Sequence, residues 1–413
     1  MKLKNLLLGL LLTTGAVAAQ AQTFYICNES NTETTRQLTF ANGGMTVNGV
    51  ATADIDSITT HVPDLRFVGG DISLLPSYEE NGAQYKDRDG QAISGPLLNY
   101  LKGQGWNAMR VRLFVDPSQA TATEKGEGVR QDLSYVIALG KQIKEAGLLL
   151  MLDFHYSDSW ADPAKQWTPA SWLNLSNDQL YTRIYDYTLD CLNQMNAAGA
   201  SPDFIQTGNE ISYGMLWGSK GATANRCYSG SEDNWPRFTT LLKQAVKACR
   251  EACPQAKVVI HTERVKQVSV LNNFYSQMAK YGVDYDIIGL SYYPYYHGNL
   301  TTLNTALNRI EGNFPDKRIM IVETGHSYNY KVGDDDTGYA LTPAGQKQFT
   351  LDLIDLLKRH PKVDGLFWWF PEANEFGLNW ATQRVTDKWY NAGLFDNNTG
   401  RALDALYELK NFR

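Results

Sequence analysis

Glu210 closes the run DFIQTGNEI (203–211) and Glu323 closes the run RIMIVETG (318–325), two apolar stretches that read as buried β-strands. Glutamate is almost never fully buried unless it is paired. Two carboxyls delivered in this way are the parts a retaining glycosidase requires. One is protonated and donates to the departing oxygen, and the other, about 5 to 5.5 Å from the first, is ionised and attacks the sugar carbon. Their surroundings must push the two pKa values apart. Any single Glu among the 44 acids of this chain would ordinarily be a solvated surface charge; the apolar residues leading into Glu210 and Glu323 argue otherwise.

Strands and helices must hold these groups in place. From about residue 61 the chain alternates β-like runs with stretches whose apolar residues recur every three or four positions, the pattern of parallel α/β architecture. The runs are 65–73, 106–114, 148–156, 203–211, 257–263, 285–293, 318–325 and 364–370. Between them LSYVIALGKQIKEAG, FTTLLKQAVKACREA and GQKQFTLDLIDLLKRH read as helices. Eight such runs predict a (β/α)8 barrel, whose site is built from the carboxyl ends of several strands. A doubly wound open sheet is the alternative, but no glycine-rich phosphate turn follows the first run. Polar residues collect where the runs end: Asp71, Ser73, Arg110, Arg112, Asp153, His155, Asn209, Glu210, His261, Glu263, Tyr292, Glu323 and Trp369. Outside the two glutamates, the competing reading of each is a polar residue paired within the barrel.

Residues 1–21 read as a cleavable secretory leader, with Lys2 and Lys4 ahead of an apolar Leu6–Leu12 core and Ala19-Gln20-Ala21 at the cleavage point. That core is too short to span a bilayer, and no lipid-anchor cysteine follows it. A secreted or periplasmic product is expected. Losing residues 1–21 removes two lysines and no acids and moves the formal charge from −6 to −8. An acidic export product is a poor partner for nucleic acid. Residues 22–60, rich in Thr and Asn-Gly turns, read as a small β-rich extension ahead of a catalytic unit at 61–413. Five cysteines, at 27, 191, 227, 249 and 253, form no disulfide framework and read as small buried residues. Aromatic residues make up 12% of the chain, including 10 Trp and 23 Tyr; core packing takes many, and those at strand ends suit sugar faces.

With these residues in place, the chain resembles glycoside hydrolase family 53, the endo-β-1,4-galactanases that cut type I arabinogalactan, from about residue 65 to 410. GWNAMRVRLFVDP, DFHYSDSWADPAKQW, TGNEISYGMLW, IIGLSYYPYYHG, IMIVETG and NAGLFDNNTGRALDAL carry the likeness. The resemblance implies a double displacement with Glu210 as acid/base and Glu323 as nucleophile. It further implies that Asn209 bonds the sugar 2-hydroxyl and that Tyr292 and Arg110 orient the nucleophile and keep it ionised. His155, Asp71, Asp153, Trp160, His261 and Trp369 would line or support the site. A monomer acting on β-1,4-galactan and galacto-oligosaccharides is expected, with no organic cofactor. Some bacterial relatives carry calcium in the loop after the seventh strand; here Asp334, Asp335 and Asp336 are the candidate ligands, against the plainer reading of a solvated turn.

The chain departs from the family on the rim. Where members read close to HLDNGW, it has HTERVKQ (261–267), and a Glu-Pro-Ala-Trp segment becomes Phe370-Pro371-Glu372-Ala373-Asn374. These changes bear on outlying sugar subsites. A barrel endoglycanase acting on mannan or a β-glucan would share both glutamates. A non-catalytic carbohydrate-binding barrel would have no need of Asn209, Glu210, Tyr292 and Glu323 together.

Overall fold

The computed structural model describes residues 66–332 and 337–413, for Tyr390 the backbone alone, together with the backbone of short strands between residues 24 and 59. The proposed leader and Asp334–Asp336 lie outside the described residues. Contacts divide the chain into two units, Met1–Leu65 and Arg66–Arg413. In the first unit Phe24–Cys27 pairs antiparallel with Thr32–Thr35 and Ser57–Thr59, and Leu38–Ala41, Gly44–Val47 and Val50–Ala51 form a second small sheet.

The second unit is a closed eight-stranded parallel barrel. Its strands are β1 (Phe67–Asp71), β2 (Ala108–Leu113), β3 (Leu149–Phe154), β4 (Phe204–Thr207), β5 (Lys257–Thr262), β6 (Ile287–Tyr292), β7 (Arg318–Thr324) and β8 (Val363–Trp369). Helices α1 (Leu97–Gly103), α2 (Leu133–Glu145), α3 (Asn177–Ala197), α4 (Trp235–Ala252), α5 (Val268–Lys280), α6 (Leu300–Asn313), α7 (Pro343–Lys358) and α8 (Asp404–Glu408) follow the strands in turn. Each of the eight expected runs coincides with one strand, the last strand starting one residue ahead of its run. The helices start where the local chemistry allows. Asp132 accepts the Tyr135 amide, and Ser176 and Gln179 form a reciprocal capping box, which satisfies first-turn donors that have no partner inside the helix. No helix among the described residues is long and apolar enough to cross a membrane.

Side-chain alternation separates two cores. Leu241, Leu242 and Ala245 of α4 join the outer core between helices and barrel, whereas Ala108, Met151, Phe204, Val259, Ile287, Met320, Val322 and Phe367 fill the barrel interior. Counting on by twos from these interior residues puts Arg110, Arg112, Asp153, His155, Gln206, His261, Glu263, Ser291, Tyr293 and Trp369 on the same inward face, above the apolar layer. Glu323 breaks that parity, being the immediate neighbour of inward Val322. Between β6 and β7 the register shifts from Leu290↔Ile321 to Ser291↔Glu323, so Val322 is the extra residue of a bulge and Glu323 emerges level with inward-facing Ser291. A bulge re-aims a side chain in this way.

Cys191, Cys227, Cys249 and Cys253 are buried and unbridged. Leu241 is fully buried. Leu241→Ala should cost about 2–5 kcal/mol of unfolding free energy in a denaturant titration, with activity per folded molecule retained.

Candidate active site

Arg110 of β2 stands at the centre of the barrel mouth, 1% exposed. Its Nη1 donates to Asp71 Oδ2 at 2.8 Å, and its Nη2 lies 2.7 Å from Asp153 Oδ2, 2.9 Å from Glu323 Oε1 and 2.8 Å from Asn209 Oδ1. Its Nε reaches Gln206 Oε1 at 3.3 Å. Five strands or strand ends are thereby joined through one guanidinium. Arg112 donates to the other oxygen of Asp71 at 3.0 Å and stacks on the Trp160 ring at 4.5 Å. Burial alone would raise Asp153, but Arg110 and His155 outweigh it and hold its carboxyl below the ordinary range.

The strand β4 ends at Thr207, so Asn209 and Glu210 sit on the turn that follows rather than on the strand. That turn runs through the left-handed region at Gly208 (φ 108°) and Glu210 (φ 48°). A side chain at Gly208 would meet Ile211 Cγ2 at 2.7 Å, and a left-handed non-glycine residue such as Glu210 is strained by about 1–3 kcal/mol. Neighbouring bonds hold the conformation. Asn209 Nδ2 donates to the Ala161 carbonyl at 2.8 Å, Gln166 Nε2 to the Asn209 carbonyl at 2.7 Å, and the Glu210 amide to His261 Nδ1 at 3.3 Å. His261 is fully buried; burial, then the charge of Arg110, keeps it neutral by driving its pKa well below the usual value. Its Nε2 lies 2.8 Å from Ser291 Oγ, which in turn donates to Glu323 Oε2 at 3.4 Å.

Tyr293 Oη donates to Glu323 Oε2 at 3.0 Å. Tyr292, expected to orient the nucleophile, does not reach it. Its side chain points out of the barrel, packs on Phe349 of α7 with ring centroids 6.4 Å apart, and donates to the Gly298 carbonyl at 2.9 Å. Alternation along β6 sends adjacent tyrosines to opposite faces, and Tyr293 has the inward parity. At His155, the Ala161 amide donates to Nδ1 at 3.0 Å, which leaves the ring proton on Nε2 facing Asp153 Oδ2 at 3.0 Å.

Both glutamates line one cleft of about 480 Å³, together with Asp71, Arg110, His155, Trp160, Asn209 and Trp369. His261 lies beneath it and supports the turn that carries Glu210. Trp160, Trp369 and Trp389 form an aromatic wall, with Trp369 6.5 Å from Trp160 and 5.5 Å from Trp389. Burial, then the charge of Glu323 and then that of Glu263, raises Glu210 well above the usual carboxylate range. Burial also raises Glu323, to about 7, but there the Arg110 guanidinium opposes it. Of the pair, Glu323 therefore ionises first and Glu210 keeps its proton. Gln206, Ser291 and Tyr293 belong to the site although the sequence singled out none of them, and Arg112 and Glu263 were expected there only among the polar residues at the ends of the runs; inward parity from a known core position is the signal that finds all five. Among the described residues no group of three or more His, Cys, Asp or Glu side chains could hold a metal ion.

A closed parallel barrel whose mouth carries a buried carboxyl pair of unequal proton affinity, in an aromatic-walled cleft, is the architecture of a barrel glycoside hydrolase. The chain belongs to glycosyl hydrolase family 53, whose model matches residues 67–409. It is 32% identical to an arabinogalactan endo-β-1,4-galactanase of Thermothelomyces thermophilus over 74% of this chain and 90% of that one. Its fold matches the family 53 catalytic domain of Ignisphaera aggregans with a TM-score of 0.72 at 33% identity, covering 84% of this chain and 96% of the other. A solved fungal β-1,4-galactanase matches with a TM-score of 0.69 at 30% identity, covering 84% and 99%.

Arg110→Gln removes the guanidinium that faces Asp71, Asp153 and Glu323. Carbon-13 NMR of labelled glutamate carboxyls should show Glu323 titrating at higher pH than in the wild type, and stability should fall by about 3–5 kcal/mol. Burial also raises Glu372 from 4.5 to about 8. The folded chain then binds this proton more tightly than the unfolded chain, so the stabilisation is complete below pH 4.5 and is lost as pH rises through 8. Glu372→Gln should flatten the decline in Tm between pH 6 and 9, and an unchanged slope would exclude Glu372 as its source.

Proposed function

We propose that this chain is a retaining endo-β-1,4-galactanase acting on the galactan of type I arabinogalactan. The observation that carries the mechanism is the unequal surroundings of the two glutamates: Glu323 is held by Arg110 and Tyr293, while Glu210 has the charges of Glu323 and Glu263 beside it. Glu323 attacks the anomeric carbon while Glu210 gives its proton to the departing glycosidic oxygen. The galactosyl ester forms on Glu323, the shortened chain leaves, and Glu210, now ionised, takes a proton from water as that water attacks the same carbon. The positive charge that develops on the sugar ring is met by a net anionic cluster, in which Arg110 and Arg112 face Asp71, Asp153 and Glu323.

Two inward groups support the pair. Asn209, with its amide oxygen on Arg110 and its nitrogen on Ala161, is fixed where a sugar 2-hydroxyl would pass. Trp160 and Trp369 offer ring faces to apolar sugar faces. The galactanase names of the relatives support the substrate. An acidic, leader-bearing chain fits a secreted or periplasmic site of action on a plant polymer.

The test is reducing-sugar release from potato-type galactan, with mannan and cellulose oligomers as controls. Wild type should cleave galactan, and Glu210→Ala and Glu323→Ala should each lose roughly a hundredfold or more of kcat while keeping the wild-type circular dichroism spectrum. NMR of the first-formed product should show the β-anomer. Equal activity in all three proteins, an α-anomeric product, or cleavage confined to another glycan would each overturn its part of the reading.

A further inference from the structure

Glu263 stands just past β5 on the wall of the cleft, 6% exposed. Its Oε1 is doubly held: Ser212 Oγ donates to it at 2.6 Å and Arg264 Nε lies 2.7 Å away. The same Arg264 Nε is 3.0 Å from Ser212 Oγ, and its guanidinium rests over the Tyr213 ring at 4.1 Å. Serine, arginine and carboxylate thus close a ring that fixes the carboxyl plane. The other oxygen, Oε2, has no hydrogen-bond partner, and neither has Arg264 Nη2. A buried carboxylate oxygen left unpaired costs free energy, and the clamp on Oε1 prevents it from turning to find a donor.

Position says what would satisfy it. Glu263 acts on Glu210, whereas the charges that act most on Glu323 are those of Arg110, Asp153 and Asp71. Around the barrel, Glu263 on the β5 rim neighbours Glu210 on the β4 rim, on the arc away from Asp71, Arg112 and Trp369. Resting on the double displacement proposed above, we infer that Glu263, braced by Ser212 and Arg264, is the recognition point for the leaving-side sugar, its Oε2 accepting a hydroxyl of the galactose whose glycosidic oxygen Glu210 protonates. A polyol supplies the neutral O–H donors that a fixed acceptor requires. The fit is to a sugar rather than to an anion, since a second negative charge here would face the Glu263 carboxylate.

The experiment compares two leaving groups in the intact enzyme. Galactotetraose departs as a sugar; a 4-nitrophenyl β-1,4-galactobioside departs as a phenolate that offers no hydroxyls to Glu263. Burial raises the Glu263 carboxyl to about 7 against the opposing charge of Arg264, so the assay is run at pH 8, where it is ionised. There Glu263→Gln, checked for an unchanged melting curve, should lower kcat/KM on galactotetraose roughly tenfold to a hundredfold, as expected for a lost bond to a charged acceptor, with a several-fold smaller loss on the aryl substrate. Ser212→Ala, which loosens the brace while leaving the carboxylate, should reproduce the same bias more weakly. Equal losses on both substrates in the two variants, or no loss on galactotetraose, would overturn the inference. Wild-type turnover separates this from the broader reading: a wild type that cleaves the aryl substrate but no galactan removes the galactan assignment, and a wild type that cleaves neither removes both.

Discussion

One guanidinium shared by three carboxylates governs this molecule. Arg110 is buried against Asp71, Asp153 and Glu323, and none of these charges could remain in the barrel mouth alone. A buried charge that loses its partner costs several kcal/mol, far more than a surface ion pair contributes. The barrel must therefore close with β1, β2, β3, β4 and β7 at heights that bring these side chains into one layer. Register does this: Asp71 pairs with Arg110 and Arg112 with Asp153 across neighbouring strands. The same contact that satisfies Arg110 sets the order in which the glutamates ionise, so the packing requirement and the chemistry are one constraint.

The backbone is bent from its easiest path at two places, and both serve the pair. The bulge at Val322 lifts Glu323 into the mouth without losing the apolar plug below it. The left-handed turn at Gly208 and Glu210 carries the second carboxyl off the end of β4 and over the cleft. His261 supports that turn through the Glu210 amide, and its far nitrogen reaches Ser291, which touches Glu323. A neutral imidazole under the floor of the site therefore contacts the scaffolding of both acids without adding charge to the cluster.

Much of this was legible in the residues. Apolar runs ending in acid located Glu210 and Glu323, and eight apolar runs alternating with amphipathic stretches predicted the closed barrel. The direction in which an individual side chain points was harder to read. Simple alternation from Met320 would turn Glu323 outward, and nothing in RIMIVETG announces the bulge that reverses it. The adjacent pair Tyr292 and Tyr293 is ambiguous until one inward residue of β6 is known; the family resemblance pointed to Tyr292, and Tyr293 stands in that place. Gln206 and Ser291 look like ordinary strand polars, because their importance lies in partners 53 and 32 positions distant. The candidate calcium ligands Asp334–Asp336 and the expected leader lie outside the described residues.

The central claim is that Glu323, ionised beside Arg110, becomes bonded to the sugar. A 2-deoxy-2-fluoro galactobiosyl fluoride slows breakdown of a glycosyl-enzyme more than its formation, so intact-mass measurement and peptide mapping after exposure to it identify the attacking side chain. The account predicts one added glycosyl group per chain, located on the peptide containing Glu323 and released by a galacto-oligosaccharide acceptor. A label on any other residue, or unlabelled enzyme that goes on turning the reagent over, would contradict it.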